Sequence, residues 1–193
     1  GYSVRACVRD ANRGDKTVYL NAINASGPGS IQYFSCDLMK ASDGAYDEAF
    51  AGCSAVFHVA ADIGTDPAYD RPSPQSMYDS LLAMTSGVLE SCRRSDSVRR
   101  VMYTSSTAAV MGPGAPGRPK DYEYTEADWA GGTYESLDER YTHTNNKGEV
   151  VNGWSIERAA YAKGKVDAEK AGYEFGDRYG IDVVSCCPCH VMG

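Results

Sequence analysis
The sequence predicts an α/β protein built on a doubly wound parallel sheet, with helices on both faces. Three observations lead there. Short β-rich runs alternate with helical segments at the spacing of βαβ units. Small, polar or turn-forming residues follow directly after those runs, as they do where parallel strands end at a ligand site. No repeat or linker divides the chain, so 1–193 reads as one domain, long enough to bury a full core. Crossovers between the strands are expected to be right-handed.

The elements follow in order. Tyr2–Val8 is a strand ending in Arg9-Asp10. Asp15–Ala25 carries Val18, Leu20 and Ile23 and reads as a helix, stopped by Gly27-Pro28-Gly29. Ile31–Ser35 is a second strand, closed by Asp37-Leu38. Tyr46–Phe50 is a brief helix ended by Gly52. Ala55-Val56-Phe57-His58-Val59 reads as a buried strand leading into Ala60-Ala61. Asp62–Pro74 is a proline-punctuated loop, and Gln75–Arg94 a long helix with Leu81, Leu82, Val88 and Leu89. Arg100–Tyr103 is a strand running into Thr104-Ser105-Ser106. Gly112–Lys120 is irregular, and Tyr122–Gly153 reads as polar, aromatic loop with short turns. Ser155–Tyr179 has alanines, alternating charges and no proline, so it reads as a helix; Gly180 caps it. Ile181–Cys186 is the last strand.

Composition narrows the function classes. A net charge of −7 argues against nucleic acid or an acidic membrane surface as partner. No apolar run approaches a membrane span, and Gly1-Tyr2-Ser3-Val4-Arg5 shows no signal-peptide pattern. Seven cysteines, an odd number scattered through core-like runs, fit a reduced cytoplasmic protein better than a disulfide framework. Cys186-Cys187-Pro188-Cys189-His190 invites a metal reading, but no second pair stands at zinc-site spacing, and no metal is expected.

The chemistry centres on Tyr161 and Lys165. At i and i+4 they share a helix face, so hydroxyl and ammonium can point at one spot. A free phenol titrates at roughly 10, and a cation beside it favours the phenolate, making a proton donor and acceptor usable near neutral pH. Asp37, Ala60-Ala61, Ser106 and Pro188 all follow a strand, which places them on one edge of one sheet. Thr104-Ser105-Ser106-Thr107 offers hydroxyls that can hold a carbonyl oxygen, or simply form a turn. Arg9, with Arg13 and Lys16 behind it, suits a ribose 2′-phosphate, although Asp10 suits a free 2′-hydroxyl. Asp37 can accept from adenine or start a turn. His58, among apolar neighbours, reads as a satisfied core histidine, and the tyrosines of Tyr122–Tyr141 as pocket lining or loop anchors.

Together these pieces resemble the extended short-chain dehydrogenase/reductase superfamily, and within it the dihydroflavonol reductase and cinnamoyl-CoA reductase group. The matching segments are Val8-Arg9-Asp10, Cys36-Asp37-Leu38, Val56–Ala61, Val101–Ser106, Glu126-Ala127-Asp128-Trp129, Tyr161 with Lys165, and Pro188–Gly193, in family order. The resemblance implies a Rossmann-like fold and an NADP-dependent reductase acting on a small-molecule carbonyl, with NAD the other cofactor. Tyr161 becomes the general acid/base, Lys165 its activator and the holder of the nicotinamide ribose. Ser106, or Thr107 if the turn shifts by one, holds the substrate carbonyl. Arg9, Asp37, Leu38, Ala60 and Ala61 line the adenosine side, while Pro188 and Val191 lie near the nicotinamide.

Some positions depart from the group. Met84 stands where a helix glycine is usual and is expected to crowd its neighbour; Gly164 stands where dihydroflavonol reductases carry Ser. The family's first strand with its Gly-x-x-Gly-x-x-Gly turn, and its C-terminal substrate lobe, have no counterpart in this sequence. The expectation is therefore an internal piece of a longer reductase, inactive alone, with the absent strand fitting between Tyr2–Val8 and Val56–Val59. Two alternatives stay open: an NAD-dependent sugar-nucleotide epimerase or hydroxysteroid dehydrogenase, and a non-catalytic dinucleotide-binding protein.

Overall fold
The computed structural model describes residues 1–61, 74–111, 121–130, 141–144, 150–154, 156–189 and 191. Strands form at the expected runs: β1 (Ser3–Val8), β2 (Ser30–Ser35), β3 (Ala55–His58), β4 (Arg100–Thr104) and β7 (Asp182–Cys186). All pair in parallel. β1 pairs with β2, and β3, β4 and β7 make a second sheet with β4 in the middle. Alternation sets the faces of β4: Val101 and Tyr103 are buried, with Met102 half-buried between them.

These strands thus form two sheets, parted between Tyr2–Val8 and Val56–Val59, where the sequence reading sets a further family strand. β1 and β3 are not hydrogen-bonded to each other; a cavity of about 420 Å³ separates them, lined by Arg5 and Cys7 on one side and Phe57 and Ala60 on the other. The reading of Ala55–Val59 as a wholly buried strand needs the matching correction. Val56 and His58 are buried, but Phe57 is 72% and Val59 63% exposed, because only one face of β3 is covered.

The helices are α1 (Gly14–Ser26), α2 (Asp47–Phe50), α3 (Pro74–Ser95), α4 (Ala108–Met111) and α5 (Ile156–Tyr179), with a 3-10 segment at Leu38–Asp43. α5 carries Ala159, Ala160, Ala162, Val166 and Ala168 on its buried side, and these small residues let α3 approach closely. A Cβ at Gly164 would stand 2.6 Å from Leu81 Cδ1 on α3, so a Ser there requires Leu81 to turn. Gly87 is tighter: its Cβ would meet Ser42 N at 2.5 Å, where α3 crosses the 3-10 segment. Close approach at α3 therefore falls to Gly87, while Met84 is accommodated in a buried position beside Leu38 and Met39. Gly180 ends α5 with φ +68°, the left-handed conformation a capping glycine adopts without strain.

One core joins both sheets: Cys36, Tyr46, Phe50, Val56, Val88, Leu89 and Val101 pack together, with Cys7, Phe34 and Leu38 against them. Arg94 clamps Asp47 through two 2.8 Å bonds, fixing α2 to α3. The segment read as loop between Tyr122 and Gly153 contains an antiparallel pair, β5 (Tyr141–Thr144) with β6 (Val150–Trp154). Its strands carry Thr, Asn and Gly among their apolar residues, which hides the alternation that marks a strand. Gly112–Lys120 and most of Asp62–Pro74 lie outside the described residues.

Candidate functional site
β4 and β7 end side by side, and their ends are tied. Ser105 N donates to Cys186 O at 2.8 Å, and Thr107 N to Pro188 O at 3.1 Å. Pro188 is thereby held next to the Ser106 turn. Ser105 points inward, 3% exposed, whereas Ser106 and Thr107 are half-buried and accessible. The Ser106 hydroxyl accepts the Ala108 N–H at 3.1 Å, capping α4. That bond uses a lone pair and leaves the hydroxyl proton to give.

α5 crosses beside these ends. Lys165 is 2% exposed and donates to Thr104 O at 3.0 Å. Its Nζ lies 5.2 Å from the Tyr103 ring centroid and 5.9 Å from that of Tyr161. Tyr161 is half-buried, while Lys165, one turn on along the same face, is covered. Burial pulls the Lys165 ammonium from 10.5 down to about 8, against the opposing pull of Glu169 and Cys187. A cation that titrates just above neutral pH, one turn from a phenol, is the arrangement expected of an acid/base pair.

The remaining sequence-predicted residues are spread across the molecule. Pro188 sits with Ser106, and Val191 beyond it is 85% exposed. Ala60 and Ala61 follow β3, Ala60 lining the cavity toward β1. Arg9, Asp37 and Leu38 belong to the β1–β2 side. Arg9 is exposed at the end of β1. Arg13 spends its charge on Asp15, at 2.8 Å. Asp37 caps the 3-10 segment, accepting from Met39 N at 3.0 Å, and Leu38 packs on the core. His58 is buried near Thr85, its Nε2 3.5 Å from the Thr85 hydroxyl, and burial lowers it to about 4. Cys186 and Cys189 are exposed rather than core-facing, and His190 lies outside the described residues.

Tyr124 and Trp129 help wall a cavity of about 460 Å³ that reaches Thr107, Glu169 and Tyr173. Tyr122 is an anchor: its hydroxyl donates to Asp128 at 2.7 Å. Sequence reasoning passed over Glu169, which is 6% exposed. Its signal was available, since it stands four residues beyond Lys165 on the same helix.

Comparisons with known proteins identify the fold and the family. The sequence profile of the NAD dependent epimerase/dehydratase family matches residues 1–136. Cinnamoyl-CoA reductase CAD2 of Medicago truncatula is 32% identical over all of this chain and 51% of its own length. Dihydroflavonol 4-reductase of Hordeum vulgare is 30% identical over 100% of this chain and 47% of its own. The crystal structure of vestitone reductase from alfalfa superposes with a TM-score of 0.62 at 28% identity, covering 97% of this chain and 48% of that one. The yeast methylglyoxal/isovaleraldehyde reductase Gre2, complexed with NADPH, has the same fold, with a TM-score of 0.70 at 23% identity over 100% of this chain and 52% of that one. The chain spans about half the length of the curated relatives it matches. With its parallel Rossmann-type sheets and its alignment to these reductases, the chain belongs to the NAD dependent epimerase/dehydratase family, the extended short-chain dehydrogenase/reductases, in the neighbourhood of cinnamoyl-CoA and dihydroflavonol reductases.

Proposed function
We propose that these residues form the catalytic half of an NADP-dependent reductase that converts a small-molecule carbonyl to an alcohol. One observation carries the reading: a buried Lys165 ammonium, bonded to the end of β4, one helical turn from the accessible Tyr161. The donor set fits the nicotinamide-ribose half of the cofactor. Lys165 has given one bond to Thr104 O and has two N–H donors left for ribose hydroxyls, and the Tyr161 phenol stands one turn away on the same helix. Arg9 is the residue proposed for the 2′-phosphate.

The bound cofactor supplies a hydride to the carbonyl carbon. Ser106 donates an O–H hydrogen bond to the carbonyl oxygen and orients it, keeping its own proton. Tyr161 gives its phenolic proton to that oxygen as negative charge builds there. Charged Lys165 stabilises the negative charge left on the Tyr161 oxygen. Thr107 takes the place of Ser106 if the substrate approaches from the 460 Å³ cavity, which Thr107 lines.

The test is cofactor oxidation, followed at the nicotinamide absorbance, by the protein expressed from its full reading frame, with a panel of aromatic and aliphatic aldehydes. NADPH consumption that depends on the aldehyde is expected. NADPH that stays reduced with every carbonyl tested overturns the reductase reading.

A further inference from the structure
Tyr161, Lys165, Glu169 and Tyr173 follow one another at four-residue steps and form a single stripe along α5. Lys165 and Glu169 are both buried, 2% and 6% exposed. The hydrogen bonds of Glu169 go to partners other than Lys165. Its Oε1 accepts from the Tyr173 hydroxyl at 3.0 Å and from the Ser185 hydroxyl of β7 at 2.5 Å. The Cys187 thiol faces Oε2 at 3.9 Å. The carboxylate is thus held by Tyr173 of α5 and Ser185 of β7, while the hydrogen bond of Lys165 goes to the neutral carbonyl of Thr104.

We propose that Glu169 is a positioning residue for the Tyr161–Lys165 pair: a fixed, buried negative charge that keeps Lys165 protonated where water is excluded. Its consequence for turnover rests on the acid/base reading above; its effect on Lys165 does not. The groups around Lys165 leave Glu169 this role. On α5 itself stand Tyr161 and Glu169. His58 faces it from β3 and is neutral near pH 7, since burial, with the Lys165 charge acting the same way, lowers it to about 4. Tyr103 from β4 and Cys187 after β7 are both pushed up by burial and stay uncharged. On the side of α5 that meets α3, Lys163, Asp167 and Tyr78 satisfy one another: Lys163 Nζ and the Tyr78 hydroxyl both donate to Asp167 Oδ2, at 2.6 and 2.7 Å. The short α4 brings no titratable side chain. Among the described residues, Glu169 is the remaining anion.

The experiment is an NMR titration of ¹³Cε-labelled lysine in the wild-type protein and Glu169→Gln, with the Lys165 signal assigned by its loss in Lys165→Met. Gln keeps the shape and an acceptor oxygen for Tyr173 and Ser185 but carries no charge. The Lys165 midpoint is expected to fall by about one pH unit or more, the size typical of removing a nearby opposite charge. In the pH dependence of NADPH oxidation, Glu169→Gln is expected to lose about fivefold or more at pH 8 and to recover toward pH 6, where Lys165 is protonated again. A merely structural role lowers activity evenly across pH and leaves the lysine midpoint in place. If Glu169→Gln does not fold, Glu169→Asp keeps the charge but draws it back, and a smaller fall in the midpoint is expected. An unchanged midpoint in the folded variant overturns the proposal. Should Tyr161→Phe leave turnover intact, the acid/base reading fails, while the lysine midpoint still decides the role of Glu169.

Discussion
Lys165→Met separates what this cation does for chemistry from what it does to stability. The native state holds the Lys165 ammonium at about 8, against 10.5 when unfolded. At about 1.36 kcal/mol per pH unit, burying the charge opposes folding by roughly 3 kcal/mol at pH 7. Between pH 8 and 10.5 the unfolded chain binds the extra proton, so native stability rises with pH across that window and the penalty is gone above it. Met keeps the apolar stem and removes the charge, but it strands the Thr104 carbonyl, a loss of about 1–3 kcal/mol that does not depend on pH. The variant is therefore expected to equal or exceed wild type in stability at pH 7 by up to about 2 kcal/mol. Its advantage over wild type should then shrink by roughly 3 kcal/mol as pH climbs to 10.5. Urea unfolding watched by tryptophan fluorescence at pH 7, 8, 9 and 10.5 measures this difference. A difference that stays flat across the range refutes the buried, depressed lysine and the site chemistry built on it.

Gly87→Ala drives a methyl into the Ser42 amide, 2.5 Å from its Cβ position, and is expected to destabilise by about 1–3 kcal/mol in the same unfolding assay. Arg9→Ala is expected to lower kcat/KM with NADPH by about tenfold or more and to leave NADH nearly unchanged, since the paired Arg13 does not replace it. An unaltered NADPH/NADH ratio removes Arg9 from the phosphate site.

Much of this was legible in the sequence, for physical reasons. The parallel strands were readable because Val, Ile and aromatic residues cluster in them and turn formers bound them. The Tyr161–Lys165 pair was readable because i, i+4 spacing on a proline-free helix fixes one face whatever surrounds it. The split between β1–β2 and β3–β4–β7 was legible only through the family resemblance, which sets a further strand between them, because pairing across strands depends on backbone neighbours that local composition does not encode. The β5–β6 pair was missed because Thr142, Asn152 and Gly153 break the apolar alternation. Asp37 shows a different limit: a strand-ending Asp serves a turn or a ligand equally well, and here its carboxylate caps the 3-10 segment. Glu169 escaped because burial of a carboxylate is invisible until β7 brings Ser185 against it.

The most direct test of the proposed chemistry is Tyr161→Phe in the protein expressed from its full reading frame. kcat/KM for NADPH-dependent aldehyde reduction and the NADPH Kd from nicotinamide fluorescence are measured on the same preparation. Removing one oxygen from a half-buried ring leaves the fold and cofactor affinity within about threefold, while loss of the proton donor lowers kcat/KM by roughly 10²–10⁴-fold. A variant that turns over within a few fold of wild type would contradict the assignment of Tyr161 as the acid.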